Sequence, residues 1–255
     1  MRAHDTRRDF LRASAVVGAG LILVGCGGTG REQSGQRSNN QPSPREDENE
    51  EGGEVTATED LMREHGVLRR ALLVYSAAAE KLRRDPSSVP PDALQKTATL
   101  FRAFGEDYHE KKLEEAYIFP AVRQAGGEAA PYPDVLVVQH NRGREITEYV
   151  LALTRGAKLG ASNADALAKA LESFVLMYRH HAAREDTIIF PAWKKTMTGE
   201  QLDEMGDKFE DIENEQFGSD GYETAVKQIS DIEGGLGLAD ISQFTAPPPP
   251  KVTSS

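Results

Sequence analysis

The stretch YRHHAAREDTIIFPAW, residues 178–193, sets two histidines and then a Glu-Asp pair against an apolar run closed by Pro-Ala-Trp. At helical spacing, Leu171, Phe174, Tyr178, His181, Glu185 and Ile188 fall on one stripe. An imidazole and a carboxylate therefore take slots that core residues would fill. A lone histidine on such a face is usually a core residue with its hydrogen bonds satisfied. A His and a Glu four apart also suit a surface ion pair. Glu185 continues the apolar stripe, however, and a buried charge is costly unless it is paired or coordinated to a metal. His180 is turned about 100° from His181 and reads as a neighbour.

The motif has an echo. DYHEKKLEEAYIFPAV, residues 107–122, aligns with it on Phe-Pro: Glu114-Glu115 matches Glu185-Asp186, and Phe119-Pro120-Ala121 matches Phe190-Pro191-Ala192. Two further segments each carry one histidine on an apolar stripe. Leu61, His65, Leu68, Leu72 and Tyr75 form the first, and Leu136, His140, Gly143, Ile146, Val150 and Leu153 the second.

These patterns predict four long helices: Thr56 to Arg84, with Thr56 and Glu59 at capping-box spacing; Asp92 to about Val122, with Gln95 completing a second box; Asp134 to about Leu159; and Ala164 to Lys195. DPSSVPP breaks the chain after the first, and GGEAAPYP links the second to the third. An acidic helix capped by Thr198 and Gln201 and a further short helix in GYETAVKQISDIEGGLG follow. With no run of alternating strand pattern, the expectation is an all-α fold: an up-and-down antiparallel four-helix bundle with additional C-terminal helix. The domain occupies residues 55–235, followed by a tail over 236–255 that ends in the low-complexity APPPPKVTSS.

The N-terminus has other work. Arg7 and Arg8, then Phe10 and Leu11, precede an apolar run from about Ala13 to Val24. That run is shorter than the roughly 20 residues of a bilayer span and suits the h-region of an export signal. TRRDFLR resembles a twin-arginine signal, and LVGC, residues 23–26, resembles a lipobox with Cys26 as the lipidated residue. Cys26 is the sole cysteine, so no disulfide forms within the chain. Residues 27–54 hold no large apolar residue and read as a disordered acidic and polar linker. The expected location is the periplasmic or extracytoplasmic face, with the domain anchored to a membrane through Cys26. A net charge of -11, from Asp+Glu 41 against Lys+Arg 30, argues against a nucleic-acid partner. No nucleophile triad, phosphate loop or dinucleotide fingerprint is present.

Two His-carboxylate motifs on alternate helices, with a histidine on each of the others, are what a two-metal site requires. Mixed imidazole and carboxylate donors suit first-row transition metals. Calcium and magnesium prefer oxygen cages. Spacing alone leaves iron, manganese and zinc open.

At these residues the chain resembles the hemerythrin-like cation-binding family, over most of residues 56–200. The blocks MREHGVL, DYHEK…EE…FP, QH and HAARED…FP recur in order. The resemblance implies metal ligands His65, His109, Glu114, His140, His181 and Glu185. It also implies a non-haem diiron centre that binds dioxygen or a related small molecule. The function it suggests is binding or sensing of dioxygen or nitric oxide, with ferroxidase-like iron oxidation or storage, or peroxide removal, as the enzymatic alternative.

The chain departs from the family at two points. The usual His-x-x-x-Glu spacing holds for His181 and Glu185, but His109 and Glu114 are five apart. In a regular helix that separates them by about 140°. A π-bulge between residues 109 and 114 would bring both inward; without it, Glu110 is the competing ligand. Oxygen-carrying hemerythrins also have two histidines on the third helix, where this chain has His140 followed one turn later by Arg144. Glu64, Glu110, Glu115, Asp186 and His180 read as outer or solvated groups. Tyr75, Tyr108 and Tyr178 read as packing, although a seam tyrosine could hydrogen-bond a small molecule at such a centre.

Overall fold

The computed structural model describes residues 55–156 and 159–251. The expectations for the export signal, for Cys26 and for the linker lie outside those residues. Among the described residues every regular element is helical, and no helix is long and apolar enough to cross a membrane.

Helix α1 spans Ala57–Arg84, with the Thr56 side chain accepting the Glu59 N–H at 3.3 Å. Asp85 and the 3₁₀ turn Pro86–Ser88 end it, because prolines at 86, 90 and 91 bring no N–H to continue the ladder. The second rod, α2, comprises Pro91–Leu100, a π-helical stretch Phe101–Ile118, and Phe119–Ala125. It begins at Pro91 with Pro90 as cap and no side-chain cap bond, so the box expected of Asp92 and Gln95 does not form. Proline at the first helical position needs none, since its missing N–H would be an orphan there anyway. Gly126, at φ 74°, closes the rod.

Helix α3 spans Tyr132–Thr154 and stops short of the Leu159 that its periodicity suggests. Its buried seam runs through Leu136, His140, Gly143, Thr147, Val150 and Thr154. Ile146 and Leu153, expected on that seam, are only partly buried against the core. The fourth rod, α4, comprises Ala164–Arg184, a π turn Glu185–Ile189, and Phe190–Lys194. The π turn moves the seam by one residue, so Ile189 is buried where Ile188 was expected.

Cross-links fix the direction of the rods. The beginning of α1 meets the end of α4 through His65 and Asp186, and its end meets the beginning of α4 through Arg83 with Asp165 and Glu172. Arg102, early in α2, bonds the carbonyl of Arg144 in α3. Neighbouring rods are therefore antiparallel. Apolar side chains including Tyr75, Leu82, Leu94, Phe101, Leu171 and Phe174 fill the half of the interior away from residues 107–115.

Two more helices lie against the bundle. Helix α5, Gly199–Phe217, begins with a full capping box between Thr198 and Gln201. Its Phe209 stacks on Trp193, with ring centroids 5.6 Å apart and planes 7° from parallel. Helix α6, Gly221–Leu236, is tied to α1 by Arg70 and Glu233.

Candidate metal centre

The local bonding of α2 and α4 explains how both carboxylates reach the interior. The Phe119 N–H bonds the Glu114 carbonyl and the Phe190 N–H bonds the Glu185 carbonyl, each five residues back. In both rods the next residue is proline, which brings no donor and crowds the carbonyl four residues behind it. Wider i→i−5 bonding just upstream relieves both problems. In α2 the π register extends through the whole of Phe101–Ile118. It therefore carries His109 and Glu114 to the same face despite their five-residue spacing. Both are buried, and His109 Nε2 lies 3.4 Å from Glu114 Oε1.

The six residues singled out in the sequence converge. His65 and His109 bring their Nε2 atoms to 3.1 Å, and His140 and His181 do the same at 3.1 Å. Glu114 spans the two pairs, with Oε1 near His109 and Oε2 3.3 Å from His140 Nε2. Glu185 spans them in the opposite sense, with Oε1 2.9 Å from His181 Nε2 and Oε2 3.5 Å from His65 Nε2.

The other ring nitrogens are all engaged. Nδ1 of His65 lies 2.7 Å from Asp186, that of His109 2.6 Å from Glu64, and that of His140 2.8 Å from Glu115. Nδ1 of His181 lies 2.9 Å from the Gln139 side-chain oxygen. Each of these oxygens accepts, so the tautomer assigned to each ring places its proton on Nδ1 and leaves a lone pair on Nε2. Two lone pairs 3.1 Å apart repel unless something positive lies against both.

The carboxylates state the same demand. None of the four side-chain oxygens of Glu114 and Glu185 receives a well-formed hydrogen bond, although both residues are fully buried. Orphaned buried acceptors of this kind are rare in proteins and call for an ion or a donor. Burial would raise the Glu114 carboxyl, yet His109 and His140 hold it well below its usual range. Burial would lower His109, yet Glu114 and Glu64 hold it well above. His140, likewise opposed by burial, is pushed up to about 10 by Glu110, Glu114 and Glu115. The pocket calls for positive charge, and protons supply it when nothing else does. Two nitrogens and two carboxylate oxygens per position form a donor set that fits a pair of first-row transition-metal ions.

Glu110 stands outside the cluster of converging atoms. One oxygen accepts from the Tyr178 hydroxyl at 2.7 Å and the other from Arg144 at 3.0 Å. Tyr178 reaches it by lying across Gly143, where a Cβ would sit 2.0 Å from the hydroxyl oxygen. Arg144 also bonds Glu115 at 2.6 Å, and so steadies the partner of His140. Arg69 does the same for Asp186, the partner of His65. Tyr108 donates to Glu64 at 3.0 Å, so Tyr108 and Tyr178 hold carboxylates as well as packing. His180 is exposed and pairs with Arg184. Sequence reasoning missed Arg69 and Gln139. The available signal was that Arg69 and Arg144 each follow a seam histidine by four residues, while Glu64 and Gln139 each precede one.

A cavity of about 20 Å³ opens beside the cluster, with Leu68, Leu72, Phe101 and Ala182 as its apolar wall. It is large enough for one water-sized or diatomic occupant, and it touches His65, His109, His181, Glu114 and Glu185.

The chain is similar to three mycobacterial proteins at 41% identity over 240 residues, covering 94% of this chain and 90% of each relative. They are named Uncharacterized protein Rv1995 and Uncharacterized protein MT2051 of Mycobacterium tuberculosis and Uncharacterized protein Mb2018 of Mycobacterium bovis. No solved structure matches. Residues 56–193, which contain all six converging side chains, match the hemerythrin HHE cation-binding domain, and the chain belongs to that family.

Proposed function

We propose that this protein is an exported hemerythrin-like domain that holds two non-haem iron ions and uses them to bind or sense dioxygen or nitric oxide. The observation that carries the reading is the paired set of Nε2 atoms, 3.1 Å apart in each pair, spanned by two carboxylates whose oxygens have no other donors. His65 and His109 would hold one ion, His140 and His181 the other, with Glu114 and Glu185 bridging. When bound, a pair of iron ions supplies reversible redox and coordination chemistry toward small molecules such as dioxygen, nitric oxide or peroxide.

The protein's own part is to orient and to exclude. Asp186, Glu64, Glu115 and Gln139 fix the ring orientations and keep Nε2 free. Arg69 and Arg144 fix two of those partners in turn. The apolar wall of Leu68, Leu72, Phe101 and Ala182 favours a small, weakly hydrated occupant over bulk water. Arg144, at the position where oxygen-carrying hemerythrins have a second histidine, would leave fewer nitrogen donors for bound ions than those proteins offer. That feature supports a second reading, in which the centre turns over iron(II) or peroxide.

Export is the expectation of the N-terminal segment. The arginine pair and the apolar run support a twin-arginine route. That route carries folded proteins and so permits iron loading before translocation. Cys26 supports a lipid anchor, and Cys26→Ser should move the protein from the membrane fraction to the soluble one.

The test of the centre is elemental analysis of protein purified without added metal, with visible spectra in air and under nitrogen. Two irons per chain and a charge-transfer band that reverses on deoxygenation are expected. Multiple turnovers of iron(II) or peroxide would favour the second reading. A chain that takes up no metal, and is not stabilised by it, would overturn both.

A further inference from the structure

The outer partners of the four imidazoles repeat with the same internal duplication as the imidazoles. The residue before the histidine of α1 holds the Nδ1 of α2, as Glu64 does for His109; the residue before the histidine of α3 holds the Nδ1 of α4, as Gln139 does for His181. The residue after each bridging carboxylate holds the remaining pair, Asp186 for His65 and Glu115 for His140. An arginine four residues beyond each of His65 and His140 clamps that acid. At one position the duplication changes charge: Glu64 is an anion and Gln139 is neutral.

We infer that the two ion positions are unequal, the His65/His109 position binding first and more tightly and the His140/His181 position being the weaker, exchangeable one, with Gln139 setting the difference. This rests on the two-ion reading above. An anionic acceptor on Nδ1–H increases the donor strength of Nε2, and an amide does so less. His65 and His109 are both backed by carboxylates, whereas His181 is not. The wider surroundings add to the contrast. Asp60 and Glu213 bring two more carboxylates close to Glu64, with Arg63 4.0 Å from Asp60 and the Tyr222 N–H donating to Glu213. On the other side Glu110 lies 3.9 Å from His140 Nδ1, but its two oxygens are held by the Tyr178 hydroxyl and by Arg144, whose positive charge offsets it. The two clamping arginines also differ, since the Arg144 side chain is 14% exposed and that of Arg69 is 44% exposed. The better buried cation opposes an ion at the His140/His181 position, while water screens the other.

The test is an anaerobic calorimetric titration of the metal-free full chain with ferrous iron. The expected result is two equivalents of different affinity, separated by about 10–100-fold, the usual effect of an outer partner. Gln139→Glu should tighten the second equivalent and leave the first in place, closing the gap. Glu64→Gln should close it from the other direction, by weakening the first. Gln139→Glu changes neither bulk nor the bundle core, so it keeps the test available if Glu64→Gln does not fold. Two equal equivalents in the unaltered chain, or a Gln139→Glu chain in which the first equivalent moves, would overturn the inference while leaving a two-iron protein. A chain that takes up no ferrous iron would overturn the two-iron reading itself.

Discussion

The α1–α2 half of the bundle and the α3–α4 half follow one plan in two backbone registers. Each half brings a histidine from its first rod against a histidine from its second, and each second rod adds a carboxylate that reaches across to the other half. In α4 the histidine and the carboxylate are four apart and the π turn begins at the carboxylate. In α2 they are five apart and the π register spans both. The interior atoms arrive in matching places all the same. What positions a ligand is the hydrogen-bond register beneath it, and one added residue is absorbed when the backbone changes register to match.

The largest effect should come from the atoms that join the halves. Glu114→Ala removes an oxygen from both positions, so it should abolish binding of two ions. Its loss should exceed the roughly 10–100-fold cost of removing an outer partner, as read by elemental analysis and calorimetry. If only one ion is lost, the halves are more independent than the shared carboxylate implies.

A pair of deletions addresses the register directly. Removing Lys112 should let α2 relax to ordinary helical bonding with His109 and Glu114 four apart, and most of the metal should be kept. Removing Ala183 from α4 leaves no spare residue and turns His181 about 100° from Glu185, so binding should be lost. Equal outcomes would mean that the π stretch is not what absorbs the extra residue.

Proton exchange separates the two states of the centre. Without a cation, His140 is held at about 10, so at pH 8 it is protonated and ferrous uptake should release protons into a weakly buffered solution. Because that value lies above the unfolded one, the metal-free protein has the full stabilisation below about pH 6.5 and loses it as the pH rises through about 10. The metal-free melting temperature should therefore fall across that window, while iron affinity rises. A melting temperature independent of pH over that range would contradict the electrostatic account.

Smaller effects test the packing that distinguishes the halves. Gly143→Ala places a methyl group against Tyr178 and should destabilise by about 1–3 kcal/mol, even though alanine is the better helix former. The α1–α2 half has a looser approach with the roles exchanged, Gly105 of α2 against Leu68 of α1, where a Cβ would sit 3.0 Å from the Leu68 side chain. Thr198→Ala removes a capping box remote from both halves and should cost about 1 kcal/mol in a denaturant titration, with iron content unchanged.

Much of this was legible in the residues. The stripe through Leu171, Phe174, Tyr178, His181 and Glu185 marks a buried helical face and its polar intruders at once, because a period near 3.6 is a local property of sequence. The spacing of His109 and Glu114 was legible as a difficulty, and the Phe-Pro that follows both carboxylates was visible as a repeat. Helix ends are less legible. Pro91 starts α2 without a side-chain cap, and α3 stops at Thr154, since both ends depend on tertiary contacts and proline geometry as well as on periodicity. On α3, Ile146 and Leu153 continue the apolar stripe but are only partly buried, because hydrophobicity alone does not fix burial. Thr147 and Thr154 are buried instead, and Thr154 satisfies its hydroxyl against the Val150 carbonyl. Gln139 and Arg69 could not be singled out by composition. Their roles come from which nitrogen or carboxylate lies opposite, and that is a fact about pairs of helices.

The most direct test of the central claim is an anomalous difference map at the iron absorption edge, from crystals of iron-loaded protein. The account predicts two peaks inside the bundle, one beside His65 and His109 and the other beside His140 and His181, with Glu114 and Glu185 between them. A single peak, or iron bound anywhere else on the domain, would contradict it.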